Sequence, residues 1–85
     1  MKIGVAGSLE SNDVLVTVKE AEGISLSIKS IVYDFFKTQI ESVVRDTLSE
    51  MKIDNVSVEL EDKGALDYTI KARLITAISR MEETK

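Results

Sequence analysis

The side chains that most often carry out catalysis are missing from this sequence. It contains neither histidine nor cysteine. Imidazole bases, thiolate nucleophiles, disulfides and the zinc or copper sites that depend on these residues are therefore excluded. Carboxylates, hydroxyls and lysines remain as groups with chemical potential, and their positions along the chain decide what they can do.

Three carboxylates occur close together at Glu59, Glu61 and Asp62. In a strand, Glu59 and Glu61 would lie on the same face, where a pair of carboxylates can act as general acid and base. However, a half-buried strand already requires polar residues on its outward face. We therefore assign these carboxylates no catalytic role.

Two other short motifs are also weak evidence for a functional site. Lys63 and Gly64 fall far short of a phosphate-binding loop, and a tight turn explains both residues. The triplet Asp46-Thr47-Leu48 is similar to the Asp-Ser-Leu attachment site of the helical-bundle acyl carrier proteins. We interpret it as a coincidence, because Thr47 lies on the apolar stripe of a predicted helix.

The segment before the first predicted strand is rich in small and polar residues. Residues 5–13 read V-A-G-S-L-E-S-N-D. Ser11, Asn12 and Asp13 are residue types that form local hydrogen bonds with the backbone in turns. From these residue types alone, residues 1–13 are predicted to be a flexible lead-in that ends in a turn.

The rest of the chain has the periodicities of strands and helices. Residues 14–18 and 24–28 alternate between apolar and polar side chains around a connection that ends in glycine, which predicts an antiparallel hairpin. Its buried face would contain Val14, Val16, Val18, Ile24, Leu26 and Ile28. After Ser30, a suitable N-cap, the apolar spacing changes to three and four, which predicts a helix over residues 31–51.

The alternation returns in residues 56–61 and 66–72, on either side of a turn at 62–64, and predicts a second hairpin. Residues 74–81 then return to helical spacing. The order β-β-α-β-β-α predicts an α+β fold, a two-layer domain in which a small, mostly antiparallel sheet packs against one long and one short helix. With 85 residues, the chain is expected to form a single domain over residues 1–85.

Charge and hydropathy exclude several classes of partner. The formal charge is −4 and no basic stripe exists, so nucleic acid is not an expected partner. No run approaches the roughly 20 apolar residues that span a bilayer, and the N-terminus lacks the apolar region of a signal peptide. We expect no membrane partner and a cytoplasmic location.

Two motifs resemble the citrate lyase acyl carrier protein family, also called the gamma subunit. Residues 6–14 read A-G-S-L-E-S-N-D-V, where the family shows A-G-T/S-L-E-S-x-D. Residues 62–67 read D-K-G-A-L-D and are followed by Ala72-Arg73, similar to the family's D-K-G-A-L-D-C and downstream A-R. The resemblance extends over nearly the whole chain, with Asn12 and Tyr68 replacing residues that are more usual in the family.

The resemblance implies that Ser11, the serine of L-E-S, is the covalent attachment point of 2'-(5''-phosphoribosyl)-3'-dephospho-CoA. It implies a carrier with no catalytic or metal-binding residues of its own. The implied partners are the alpha (transferase) and beta (lyase) subunits of citrate lyase and a prosthetic-group transferase. On this arm, citrate would displace the acetyl group as acetate and become the citryl thioester. The citryl thioester would then be cleaved to oxaloacetate with the acetyl-carrier regenerated, so that the complex converts citrate to acetate and oxaloacetate.

Other functions remain open at this point. The carrier subunits of malonate decarboxylase and of citramalate lyase use the same kind of arm. The L-E-S and K-G-A-L-D motifs favour citrate lyase over malonate decarboxylase, whereas a citramalate lyase carrier would be almost indistinguishable. The alternative from a different class is an unmodified interaction domain that binds a partner through a helix face or a sheet edge.

Overall fold

The computed structural model describes residues 2–31 and 33–84, with the backbone alone for residues 33–35. Over these residues the chain forms a small sheet and two helices. In chain order, the elements are β1 (Ile3–Gly7), β2 (Val14–Glu20), β3 (Ile24–Ser30), α1 (Tyr33–Glu50), β4 (Val56–Asp62) and α2 (Asp67–Glu83). The predicted α+β class is confirmed.

The strands lie in the order β1-β2-β4-β3. β2 pairs antiparallel with both β1 and β4, whereas β3 pairs parallel with β4. The sheet is therefore mostly antiparallel, as predicted, but with one parallel edge strand. The pairing of Val14 with Asp62 brings the start of β2 beside the end of β4, and this arrangement positions the site described below.

The first predicted hairpin is wrong in its pairing, although both of its strands exist. β4 lies between β2 and β3, so the two strands do not pair with each other. Alternation shows that a segment is a strand but does not show which strand is its partner. α1 is long enough to serve as the crossover that a parallel β3-α1-β4 unit requires. Because β3 is at the edge, Ile24 is exposed and Leu26 and Ile28 are only half-buried.

The second predicted hairpin is also wrong, because residues 67–72 belong to α2. The predicted short helix is therefore a 17-residue helix. The side chains buried by α2 are spaced at four, three, one and three residues, namely Ile70, Leu74, Ala77, Ile78 and Met81. Alternation over 66–72 arose because Leu66 and Tyr68 are apolar but exposed at the start of the helix.

The N-terminal segment is not only a lead-in, since Ile3–Gly7 is a strand of the sheet. Its inward residues are the small Gly4 and Ala6, while the larger Ile3 and Val5 are exposed. The strand lies so close to α2 that a Cβ added at Gly4 would stand 1.8 Å from the carbonyl oxygen of Ala77. The apolar pattern of β1 is thus reversed, which concealed the strand in the sequence.

One face of the sheet and the inner faces of both helices form a single core. The predicted stripe of α1 is confirmed at Ile40, Val44 and Leu48, which are buried. Thr47 is buried on the same stripe and donates a hydrogen bond to the carbonyl oxygen of Val43 at 2.7 Å. A buried side chain whose hydroxyl is already bonded within its helix is not a surface attachment point.

Candidate functional site

Ser11 lies in the short loop of residues 8–13 that joins β1 to β2. The backbone N–H of Asp13 donates to the carbonyl oxygen of Glu10 at 3.1 Å, which closes a turn with Ser11 and Asn12 at its centre. Asn12 has a φ of 65°, a left-handed conformation that asparagine tolerates better than most side chains. The residue therefore suits the turn that presents Ser11.

The two serines of this loop have different environments. Ser8 donates from its hydroxyl to Asp13 Oδ2 at 2.7 Å and accepts from the backbone N–H of Glu10 at 3.2 Å. Ser11 is exposed, and none of the residues that the structure describes forms a hydrogen bond with its hydroxyl. The Ser8 hydroxyl thus holds the loop together, while the Ser11 hydroxyl is available to another molecule.

Asp13 is the centre of the hydrogen bonds that shape the loop. Besides the Ser8 bond, its carboxylate accepts from the backbone N–H of Val14 at 2.7 Å and from Arg73 of α2 at 3.1 and 3.2 Å. The Asp13 side chain is only 16% exposed. These bonds, that of Ser8 first, followed by those of Val14 and Arg73, lower the pKa of Asp13 from 3.8 to about 2.

The turn after β4 also supports the loop, through backbone hydrogen bonds of Lys63. The backbone N–H of Asn12 donates to the carbonyl oxygen of Lys63 at 2.8 Å. The backbone N–H of Lys63 donates in turn to the carbonyl oxygen of Asp13 at 2.9 Å. The turn itself is held by Asp62, whose buried carboxylate accepts from the Ser30 hydroxyl at 2.8 Å and from the Ala65 N–H at 2.9 Å. Residues far apart in the sequence therefore fix the backbone directly after Ser11, at Asn12 and Asp13.

The structure joins the two sequence motifs into one site. Residues 6–14 form the loop and its flanking strand ends, and the turn at Lys63 together with Arg73 bonds directly to it. Arg73 belongs to the second motif, but the motif itself does not indicate an ion pair with Asp13. Sequence spacing gave no signal for that pair, because the two residues are 60 positions apart.

The side chains of the other candidate residues form no hydrogen bond with residues 8–13 in the part of the chain that the structure describes. Glu59 and Glu61 are on the open, polar face of the sheet, as the alternation predicts, where they border a shallow depression with Lys29. Asp62 points inward and serves the turn rather than the open face.

Comparisons with known proteins show the family to which the chain belongs. The family of acyl carrier proteins described as the malonate decarboxylase delta subunit (MdcD) matches residues 1–81. The citrate lyase acyl carrier protein of Streptococcus mutans is 47% identical over 83 residues, which is 95% of this chain and 81% of the relative. The chain belongs to the citrate lyase acyl carrier protein family. A second family member, from Treponema denticola, is 46% identical over 93% of this chain and 91% of its own length.

A solved structure shows that this carrier fold is shared more widely. A chain in the crystal structure of a Pseudomonas malonate decarboxylase hetero-tetramer in complex with malonate superposes with a TM-score of 0.83. The match covers 94% of this chain and 84% of that chain at 13% identity, so it supports the fold alone. Neither helix of this citrate lyase-type carrier, within its described residues, has the length and apolar character needed to cross a bilayer.

Proposed function

We propose that this chain is the acyl carrier subunit of a citrate lyase and that Ser11 carries its covalently attached prosthetic group. The observation that supports this most directly is the difference between the two loop serines. Ser8 is bonded on both sides within the loop, whereas Ser11 presents an exposed hydroxyl on a turn fixed by Asp13 and Lys63. An attachment point needs this combination of an accessible atom and a defined backbone.

The residues around Ser11 fit the group that the family resemblance implies, 2'-(5''-phosphoribosyl)-3'-dephospho-CoA, linked by a phosphodiester bond to Ser11 Oγ. Arg73 bonds to Asp13 through its guanidinium group, and Lys63 bonds to Asn12 and Asp13 through its backbone. Two cationic residues therefore belong to the immediate surroundings of Ser11, which suits a group that contains phosphates. When attached, the group supplies the thiol that holds an acetyl or citryl thioester. The chain itself supplies a rigid, water-exposed support.

This division of labour agrees with the composition of the chain. A carrier without histidine or cysteine depends on its cofactor for the thiol and on other subunits for acid–base and metal chemistry. We propose the alpha (transferase) and beta (lyase) subunits of citrate lyase as those partners, together with a prosthetic-group transferase, all in the cytoplasm. A tethered thioester would visit both active sites at a high effective concentration.

Malonate decarboxylase is the second candidate complex, and two observations favour it. The matching family carries that description, and the hetero-tetramer chain has the same fold. The identities of 46–47% to citrate lyase carriers favour citrate lyase. Reconstituting the loaded carrier with citrate lyase, citramalate lyase or malonate decarboxylase subunits, and measuring which acid is cleaved, separates the three.

The attachment site is tested by intact-mass measurement after co-expression with the modifying enzymes. We expect the wild-type chain to gain the mass of the prosthetic group and Ser11→Ala to gain none. Ser49→Ala, an exposed serine on α1, is the matched control and should load normally. A Ser11→Ala chain that still gains the mass would exclude Ser11 as the attachment point, and an unmodified wild-type chain would favour an interaction domain instead.

A further inference from the structure

The two edge strands of the sheet differ in how their outer backbone groups are used. In β1, two carbonyl oxygens that point away from β2 accept hydrogen bonds from side chains of the C-terminal part of the chain. Arg80 donates to the carbonyl oxygen of Val5 at 2.7 Å, and Thr84 donates to that of Ile3 at 3.2 Å. Side chains therefore cap the β1 edge, and a covered edge is protected against pairing with another strand.

The outer edge of β3 is open. Alternate residues of a strand direct their backbone groups to opposite sides, and Gly23 and Ile31 bond to β4 at either end of β3. The odd-numbered residues of β3 therefore face β4, and the even-numbered residues face outward. Three of these outward residues form no hydrogen bond at this edge with any residue that the structure describes, namely Ile24, Leu26 and Ile28.

The same three residues carry apolar side chains that a single chain leaves incompletely buried. Ile24 is 38% exposed, and Leu26 and Ile28 are half-buried. The residues that pair with them in the neighbouring strand β4 are buried. A further strand beside β3 would therefore complete the hydrogen bonds of the edge and cover apolar surface at the same time.

The sequence of β3 is complementary to a second copy of itself. Two β3 strands can lie antiparallel with Leu26 opposite Leu26 of the second copy. Ile24 then lies opposite Ile28 of the second copy, and Ile28 opposite Ile24, so apolar side chains meet on the face that the helices cover. In this register the outward N–H and C=O groups of all three residues form the hydrogen bonds of an antiparallel ladder.

The open face of β3 fits the same register. Ser25 lies opposite Ser27 of the second copy, at the positions where the side chains of antiparallel strands come closest. Lys29, the one charged residue of β3, lies opposite Gly23. Like charges directly opposite each other would weaken the pairing, and this register contains none.

We propose that the β3 edge is a dimerisation site, at which β3 of a second copy of this chain pairs antiparallel and joins the two sheets into one. The contact is two-fold symmetric, with the axis at Leu26. Val14 and Ser30 both pair with Asp62, so the loop that holds Ser11 lies at the same end of the sheet as the end of β3. The two-fold axis therefore places the two attachment loops at opposite ends of the joined sheet, where each remains accessible.

The test measures the mass of the full-length chain by sedimentation over a range of concentrations, where the wild type should approach the mass of two chains. Ser25→Lys/Ser27→Lys places two lysine–lysine pairs across the interface, whereas Ser25→Glu/Ser27→Lys places two glutamate–lysine pairs there. Both serines are exposed, and the lysine beside Glu59 of β4 is common to the two variants. We expect the like-charged variant to dimerise about tenfold more weakly than its oppositely charged control.

Amide hydrogen exchange of the wild-type chain, followed by NMR, gives a second readout that needs no substitution. Exchange at the N–H groups of Ile24, Leu26 and Ile28 should slow as the protein concentration rises, while exchange at Val5 on the capped β1 edge should not change. A chain that stays monomeric at millimolar concentration, or equal dimer dissociation constants for the two double variants, would overturn the proposal. Protection of the β3 amides only after the catalytic subunits are added would also overturn it, and would assign the edge to a strand of another subunit.

Discussion

Replacing Gly4 by alanine tests whether β1 packs against α2 as closely as the structure shows. The added Cβ would stand 1.8 Å from the carbonyl oxygen of Ala77 and 2.5 Å from the backbone nitrogen of Met81. To lengthen the distance between this Cβ and the Ala77 oxygen from 1.8 Å to 3.0 Å, which is still a very tight contact, the strand and the helix must separate by 1.2 Å. Both opposing atoms belong to the backbone, so no side-chain rotation relieves the clash.

Overpacking of a core costs about 1–3 kcal/mol, and we expect about 3 kcal/mol here because only a shift of whole elements can accommodate the methyl group. With a urea m-value of about 1 kcal/mol per molar for a domain of this size, the unfolding midpoint should fall by about 3 M. Urea unfolding followed by far-UV circular dichroism measures this change.

Gly23→Ala provides the control, since no atom lies within 4 Å of the added Cβ but the residue has a φ of +70°. Its cost should be limited to about 1 kcal/mol for the left-handed conformation. If Gly4→Ala lowered the midpoint no more than Gly23→Ala, the contact between β1 and α2 would be looser than described. The reasoning about β1 would then be refuted.

Three further predictions concern the attachment loop. Because the folded-state pKa of Asp13 is about 2 against 3.8 in the unfolded chain, its contribution to stability is complete above about pH 4 and is lost as the pH falls towards 2. Urea midpoints measured from pH 5 to pH 2 should therefore fall less steeply for Asp13→Asn than for the wild type, and parallel curves would contradict this. Asn12→Val should cost about 1–2 kcal/mol in urea unfolding, because a β-branched residue is poorly tolerated at a φ of 65°, whereas Asn12→Gly should be no less stable than the wild type. Lys63→Pro removes the N–H that donates to the Asp13 carbonyl oxygen and should cost about 1–3 kcal/mol, whereas Lys63→Ala keeps that bond and should change stability by less than about 0.5 kcal/mol. Equal losses for the two Lys63 variants would show that the side chain, not the backbone, supports the loop.

Much of the local structure was predictable from the sequence, because it depends on neighbouring residues. The alternation in residues 14–18 and 56–61 and the helical stripe through Ile40, Val44 and Leu48 each correspond to an element of the structure. The β1 strand was missed because its inward positions are Gly4 and Ala6, whose small side chains give no hydrophobic signal. The start of α2 was missed because exposed Leu66 and Tyr68 imitate a strand.

Pairing and site geometry were less predictable, because they depend on residues that are distant in the sequence. No local pattern shows that β4 lies between β2 and β3, or that Arg73 reaches Asp13. Ser11 was singled out through the family resemblance, since its residue type alone indicates only a turn. What distinguishes it from Ser8 is the hydrogen bonding of the loop, which is a property of the folded chain.

The long-range bonds of the loop have a consequence for the order of events during protein synthesis. During translation, Ser11 is synthesised well before Lys63 and Arg73, the residues that fix the surrounding turn. A nascent chain therefore exposes the serine in an unshaped segment, and the finished loop forms only after α2 has emerged at least as far as Arg73. An enzyme that recognises the shaped loop would modify completed carriers and pass over unfinished or truncated ones.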